Sequence, residues 1–145
     1  MQKEKFIFNC RSIRMIRKYI IAYWKSLLVM LVILYLTFAP SSTFDGVPRF
    51  RHADKVVHFV MFLGWSAVLV YDFLKQNQSI GFRKLEFILV VFVFPVLMGG
   101  LIEIMQGLFF ARSADWLDWL ADVCGVLAGS LLSCFVFKVR LRTEE

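Results

Sequence analysis

The chain has 145 residues, a length typical of a single domain. It is 59% apolar, has a mean hydropathy of +0.68, and only 19% of its residues are charged. A water-soluble fold of this size keeps a large surface and cannot bury so many apolar side chains, so a soluble globular domain is excluded and the membrane class is favoured. Three cysteines without a C-x-x-C pair indicate neither a disulfide framework nor a structural zinc site.

Four apolar stretches follow one another, each close to the roughly 20 residues that a helix needs to cross a bilayer. They cover residues 19–39, 56–74, 87–109 and 116–137. In lipid the backbone must satisfy its own hydrogen bonds, so we expect helices. The first stretch is too long for a signal peptide and is predicted to be an uncleaved helix. The prediction is an all-α integral membrane four-helix bundle over residues 19–137, between basic tails at 1–18 and 138–145.

The basic residues are unevenly distributed about these helices. Thirteen of the seventeen Lys and Arg lie in the two tails, in the loop between the second and third helices, or at Lys25 near the start of the first helix. The positive-inside rule therefore places both termini in the cytoplasm. The net charge of +6 is then explained by topology, and no nucleic-acid partner is expected.

Polar side chains interrupt three of the helices at one membrane level. They are Asp54, Lys55 and His58 in the second helix, Glu103 and Gln106 in the third, and Asp118 and Asp122 in the fourth. Given the predicted topology, this level is the outer-leaflet half of the bundle. An Asp at the centre of a membrane helix costs about 2.5–3.5 kcal/mol, so these groups are expected to face the bundle or a wet cavity.

The same residues carry a resemblance to a known family. The pattern "P…DKVVHF…E-x-x-Q…R…D-x-x-x-D-x-x-G-x-x-x-G" resembles that of the VanZ-like family of small bacterial membrane proteins, which commonly has Asn where this chain has Asp122. The matching positions are Pro40, Asp54, Lys55, His58, Glu103, Gln106, Arg112, Asp118, Asp122, Gly125 and Gly129. The resemblance implies a multi-pass protein of the bacterial cytoplasmic membrane, a cell-envelope setting and a role like teicoplanin resistance. It brings no established chemistry.

Three of these residues are candidates for catalysis, namely His58, Glu103 and Asp118. A carboxylate in mid-membrane is a functional-site hypothesis, and a His beside a carboxylate can act as a base or as a metal ligand. The alternatives are structural. Asp54 could cap its helix with His58 as an interfacial residue, and Glu103 could pair with Lys55 or Arg112. For Glu103 we favour function.

A divalent cation is possible at Glu103, Asp118 and Asp122, since carboxylate oxygens suit magnesium or calcium. No other cofactor is evident. Acidic residues near a helix N-terminus are also favourable through capping and the helix dipole, and Asp115 is predicted to be such a cap.

Three further features have structural or ligand-binding interpretations. Arg112 could clamp a phosphate or carboxylate, or anchor to lipid phosphates. Gly125 and Gly129 are spaced for close helix packing. Pro95, with the glycines that follow it, predicts a kink or a close approach in the third helix.

Three functions remain open from the sequence. The first is an envelope protein whose outer polar site binds a lipid head group, a cell-wall precursor or an amphiphilic glycopeptide. The second is an intramembrane enzyme acting on a lipid-linked substrate by acid–base or metal-assisted chemistry. The third is an oligomeric transporter. It is the weakest, because the inner halves of the helices carry only Tyr71, Asp72 and scattered serines.

Overall fold

The computed structural model describes residues 13–39, 52–77, 84–109 and 115–143, with residues 139–143 in backbone only. Every element in these ranges is helical. We number the helices α1 (Ile13–Ala22), α2 (Trp24–Phe38), α3 (Ala53–Asn77), α4 (Lys84–Phe109) and α5 (Trp116–Thr143). The α4 helix contains a π-helical segment, Leu89–Val93.

Three helices are long and apolar enough to cross a membrane: α3, α4 and α5. They contain the predicted segments 56–74, 87–109 and 116–137. The chain is therefore consistent with a multi-pass membrane protein. The predicted first helix, 19–39, differs in the structure. It is broken after Ala22, and α1 and α2 meet at an angle of 75°.

The break between α1 and α2 has a physical partner on α3. The Tyr23 amide donates to the Tyr19 carbonyl, and the Leu27 amide donates to the Tyr23 carbonyl. The amides of residues 24–26, between these two, belong to the first turn of the new helix. One of these, the amide of Ser26, donates to the Asp72 carboxylate at 3.1 Å, and the Ser26 hydroxyl donates to the same oxygen at 2.7 Å. Asp72 thus satisfies a helix-start amide that has no partner within its own helix.

The side chain of Trp65 adds a second link at the same place. Its indole N–H donates to the Ser26 carbonyl at 3.1 Å. The Lys25 ammonium lies 4.3 Å from the ring centroid of Tyr71 on α3, a cation–π distance. The start of α2 is therefore held to α3 by its backbone as well as by its side chains.

The irregularity predicted around Pro95 is a π-helical segment one turn ahead of it. Proline has no amide hydrogen, and its ring crowds the carbonyl four residues earlier. In the structure the Phe94 amide donates to Leu89, five residues back, which widens the turn before Pro95. Beyond it, Gly99 is buried against α5, where an added Cβ would lie 2.7 Å from the Asp122 carboxylate.

The α3 and α5 helices form the most extensive helix pair. At Gly125 and Gly129, an added Cβ would overlap the backbone carbonyls of Phe59 and Leu63 respectively. One turn further on, the hydroxyls of Ser66 and Ser130 lie 2.6 Å apart. The two backbones can approach this closely only because neither glycine carries a side chain.

The apolar side chains divide into a core and an outer surface. Phe62, Trp65, Ile102 and Val126 are buried with Ile33 of α2 in one cluster. A second cluster consists of Val70, Phe73 and Val91. Many other large apolar residues are exposed on the outward faces of the helices, for example 70% of Leu131. A continuous apolar exterior of this kind is expected where the surroundings are lipid rather than water.

We predict that Gly129→Ala weakens the α3–α5 pair, because the new methyl group would overlap the Leu63 carbonyl. Overpacking of this kind costs about 1–3 kcal/mol. Thermal unfolding of the purified protein in detergent measures the loss. Gly64→Ala is the matched control, since an added Cβ there meets nothing within 4 Å. Equal unfolding temperatures for the two variants would contradict the close approach.

Candidate functional site

Polar side chains from three helices meet at the end of the bundle where α3 and α5 begin and α4 finishes. His58 lies on α3, Glu103 on α4, and Asp118 and Asp122 on α5. All four are buried, with exposed fractions of 3%, 6%, 5% and 0% respectively. Gly125 and Gly129, where α5 contacts α3, begin about one turn after Asp122 and let α5 bring its carboxylates against α3.

The centre of this site is a group of three residues: His58, Glu103 and Asp122. The Nδ1 atom of His58 lies 3.0 Å from Oδ1 of Asp122 and 3.7 Å from Oε1 of Glu103. The other oxygen of Glu103, Oε2, accepts a hydrogen bond from the Asp115 amide at 3.2 Å. One imidazole nitrogen therefore faces two carboxylates from two different helices.

A second group lies beside the first, nearer the end of the bundle. The Lys55 ammonium donates to the carboxylates of Asp115 and Asp118, the latter at 2.9 Å. Asp115 also caps α5, since its Oδ1 accepts the Leu117 amide at 2.9 Å. The hydrogen bond from Lys55, with that from the Leu117 amide, lowers the pKa of Asp115. The pair is therefore formed at neutral pH and is lost only when the pH falls through that lowered pKa.

Two carboxylate oxygens in the centre have no hydrogen-bond partner among the described residues: Oε1 of Glu103 and Oδ2 of Asp122. Both are buried, and buried polar atoms in folded proteins are nearly always paired. Leaving such an oxygen unpaired is costly, more so when the group is charged. The site thus has unused capacity to accept a hydrogen bond or to bind a cation.

Two residues that we expected in the site have other positions. Gln106 is buried, but its side-chain amide donates to the Thr37 carbonyl of α2 at 3.2 Å and so joins α4 to α2. Asp54 is exposed at the start of α3 and is not part of the buried group. The carboxylate that contacts His58 is Asp122, on another helix. Arg112 and Pro40 lie outside the described residues.

The prediction of a metal site changes in its membership. The sequence made Glu103, Asp118 and Asp122 candidate ligands of a possible cation. The structure instead brings possible ligand atoms of His58, Glu103 and Asp122 within 4.8 Å of one another, the one such group found in the described residues. Asp118 is engaged by Lys55. It lies one turn before Asp122 on α5, at the level of the lysine rather than the histidine.

Sequence reasoning gave little weight to the polar contact at the other end of the bundle, between Ser26 and Asp72. Asp72 is buried, with an exposed fraction of 3%. The signal in the sequence was an acidic residue within an apolar helix, but its partner is an amide 46 residues away, which no local pattern reveals. Beside this contact lies a cavity of about 590 Å³ between α1, α2, α3 and α4, whose lining includes Tyr23, Trp65 and Phe94.

Searches of protein-family models, of curated protein sequences and of solved structures returned no match to this chain. The resemblance to the VanZ-like family stays a prediction from the sequence motif.

We predict that Lys55→Met destabilises the bundle, because it leaves the Asp118 carboxylate, whose side chain is 7% exposed, without its cation. Adding Asp118→Asn should restore part of the lost stability by removing the unpaired charge. A double-mutant cycle of thermal unfolding temperatures in detergent measures this coupling. Lys75→Met, at an exposed lysine of the same helix, is the control. Additive effects of Lys55→Met and Asp118→Asn would rule out the pair.

Proposed function

We propose that the chain crosses the bacterial cytoplasmic membrane four times, as a helical bundle with both termini in the cytoplasm. Three of the crossings are α3, α4 and α5. The fourth is the bent pair of α1 and α2, which together pass the length and composition test for a span. The bias of Lys and Arg towards the two tails and the α3–α4 loop supports this orientation.

In this orientation the site of His58, Glu103 and Asp122 lies in the outer-leaflet half of the bundle. This end of the bundle is then the one nearer the side of the membrane where lipid head groups, cell-wall precursors and envelope antibiotics are found. The opposite end carries the Ser26–Asp72 contact, which is fully engaged in holding α2 to α3.

The function that this arrangement supports best is the binding of the polar head of an amphiphilic envelope molecule. The candidates are a lipid head group, a lipid-linked cell-wall precursor and an amphiphilic glycopeptide, with a teicoplanin-resistance-like role suggested by the VanZ-like motif. One observation carries the proposal, namely the two buried carboxylate oxygens of Glu103 and Asp122 that have no partner in the described chain. A purely structural tie between helices would satisfy its own hydrogen bonds, whereas a binding site keeps acceptors for an external partner.

The second candidate is an intramembrane enzyme that acts on a lipid-linked envelope substrate. The observation in its favour is the contact of His58 Nδ1 with Asp122, since a carboxylate on one imidazole nitrogen orients the ring for proton transfer at the other. The two candidates are separated by incubating the purified protein with bacterial lipid extract and analysing the lipids by mass spectrometry. A co-purifying lipid recovered unchanged supports binding, and a lipid that is consumed supports catalysis.

We predict that a reporter fused after Glu145 is located in the cytoplasm, because the basic residues favour that side. A reporter in the 77–84 connection, between α3 and α4, should be cytoplasmic as well. Paired alkaline phosphatase and green fluorescent protein fusions measure both positions. A C-terminal fusion that is active only outside the cytoplasm would place the site on the inner side and remove the envelope proposal.

We predict that Glu103→Gln, His58→Gln and Asp118→Asn each abolish the envelope phenotype while the protein still inserts and folds. The changes at Glu103 and Asp118 keep the shape of the side chain. All three changes keep some hydrogen-bonding capacity but remove charge or proton exchange. The measurement is the teicoplanin susceptibility of a sensitive bacterium expressing each variant, with lipid co-purification as a second readout. Protein level and unfolding temperature are recorded for every variant.

The matched control for these three changes is Asp54→Asn, at an exposed carboxylate of α3 close to the site. It should behave as the unmodified chain. If all three site variants are stable and retain full phenotype and lipid recovery, the polar cluster serves only to join helices and the proposal fails.

A further inference from the structure

We propose that His58, Glu103 and Asp122 bind a divalent transition metal ion of the zinc class. This inference deepens the proposed function and rests on it for the site's role, because it names what occupies the centre of that site. It differs from the expectation from sequence in its ligands, since His58 replaces Asp118, and in its metal class.

The distances between the three side chains fit one small cation. Zinc lies about 2.0–2.2 Å from nitrogen and carboxylate ligands, so the ligand atoms of a tetrahedral site are about 3.4 Å apart. Nδ1 of His58 is 3.0 Å from the Asp122 oxygen and 3.7 Å from the Glu103 oxygen. These two separations lie on either side of the tetrahedral value, and possible ligand atoms of all three residues lie within 4.8 Å of one another. Binding one ion would draw the two carboxylates slightly closer together around it.

The unpaired oxygens leave acceptor capacity that a cation would use. Oε1 of Glu103 is the oxygen that faces His58, and it has no hydrogen-bond partner among the described residues. The nearby ammonium of Lys55 does not supply the charge, because it is bound by Asp115 and Asp118. The imidazole of His58 balances at most one of the two buried carboxylate charges, even when it is protonated. A divalent ion between the carboxylates offsets both charges.

The kinds of ligand atom select the metal class. One imidazole nitrogen with two carboxylate oxygens suits zinc and its neighbours among the divalent transition metals. Magnesium and calcium prefer ligand sets made only of oxygen, and copper(I) prefers sulfur. The described cysteines, Cys124 and Cys134, are exposed and lie outside this group.

The surroundings of the three residues resemble the support that metal ligands receive in other proteins. The second oxygen of Glu103 is held by the Asp115 amide, which fixes the direction of the carboxylate. Gly99 leaves the space that the Asp122 carboxylate occupies, since a Cβ at that position would meet its oxygen. Three protein ligands leave a fourth position on a tetrahedral ion, where a water molecule or a head-group oxygen can bind.

The experiment uses cobalt(II) as the probe, with the full chain purified in detergent and stripped of metal by a chelator. Cobalt(II) in a tetrahedral site has an intense visible absorption that the hydrated ion lacks. We expect about one cobalt ion per chain, displaced by zinc, and an unfolding temperature that rises with added zinc. Elemental analysis of the protein purified without a chelator should find the native ion.

Three ligand variants and one control locate the ion. His58→Ala, Glu103→Gln and Asp122→Asn should each weaken cobalt binding about 100-fold or more, since loss of a residue that only supports a ligand already costs about 10–100-fold. Asp72→Asn is the control, because it alters an equally buried carboxylate at the other end of the bundle. It should leave the cobalt affinity unchanged.

The results also separate this inference from the proposed function. If the unmodified chain shows neither a tetrahedral cobalt spectrum nor stabilisation by zinc, the metal site is overturned, whether or not the variants lose the envelope phenotype. Cobalt binding that follows Asp118 instead of His58 would overturn the ligand assignment. If the metal binds as expected but the ligand variants keep the phenotype and the lipid, the metal site stands and the proposed function falls.

Discussion

The close approach of α3 and α5 at Gly125 and Gly129 sets the polar groups of these two helices against one another. Helix pairs in lipid gain little from burying apolar surface, so close packing and hydrogen bonds decide how they associate. Here the α5 glycines lie against backbone carbonyls of α3, which sets the register of one helix against the other. That register places Asp122 beside His58, and Asp118 one turn earlier, beside Lys55. A shift by one turn would separate each carboxylate from its present partner and leave one of them unpaired.

The contribution of α4 to the site depends on irregularities in that helix. The π-helical segment before Pro95 changes the direction in which later side chains point. After this segment, Gly99 has no side chain and so leaves room for the Asp122 carboxylate, and Glu103 faces His58. The Trp119 indole, which donates to the Val96 carbonyl at 3.0 Å, joins α5 to α4 near the same place. A regular α-helix with a larger residue at position 99 could not approach α5 in this way.

Much of the fold was predictable from the sequence, because hydropathy reports the length of an apolar segment directly. The segments at 56–74, 87–109 and 116–137 all fall inside observed helices. The level shared by His58, Glu103 and Asp122 followed from counting residues along antiparallel helices. The sequence did not reveal which carboxylate contacts His58 and which contacts Lys55. That choice depends on helix rotation and register, so Asp122 rather than Asp54 faces His58, and Asp118 belongs to Lys55. Hydropathy carries no information on backbone direction either, so it did not predict the 75° bend at Tyr23.

The contact between Asp72 and the start of α2 determines which substitutions its two positions tolerate. One of the two bonds that Asp72 accepts comes from the main chain of Ser26, so any residue other than proline at position 26 would still donate it. Position 72 has no such freedom, because the acceptor there is the side chain itself. Substitutions at the two ends of this contact are therefore unequal in effect. The bend can persist when Ser26 is replaced, whereas α3 has to keep an acceptor at position 72 for α2 to start where it does.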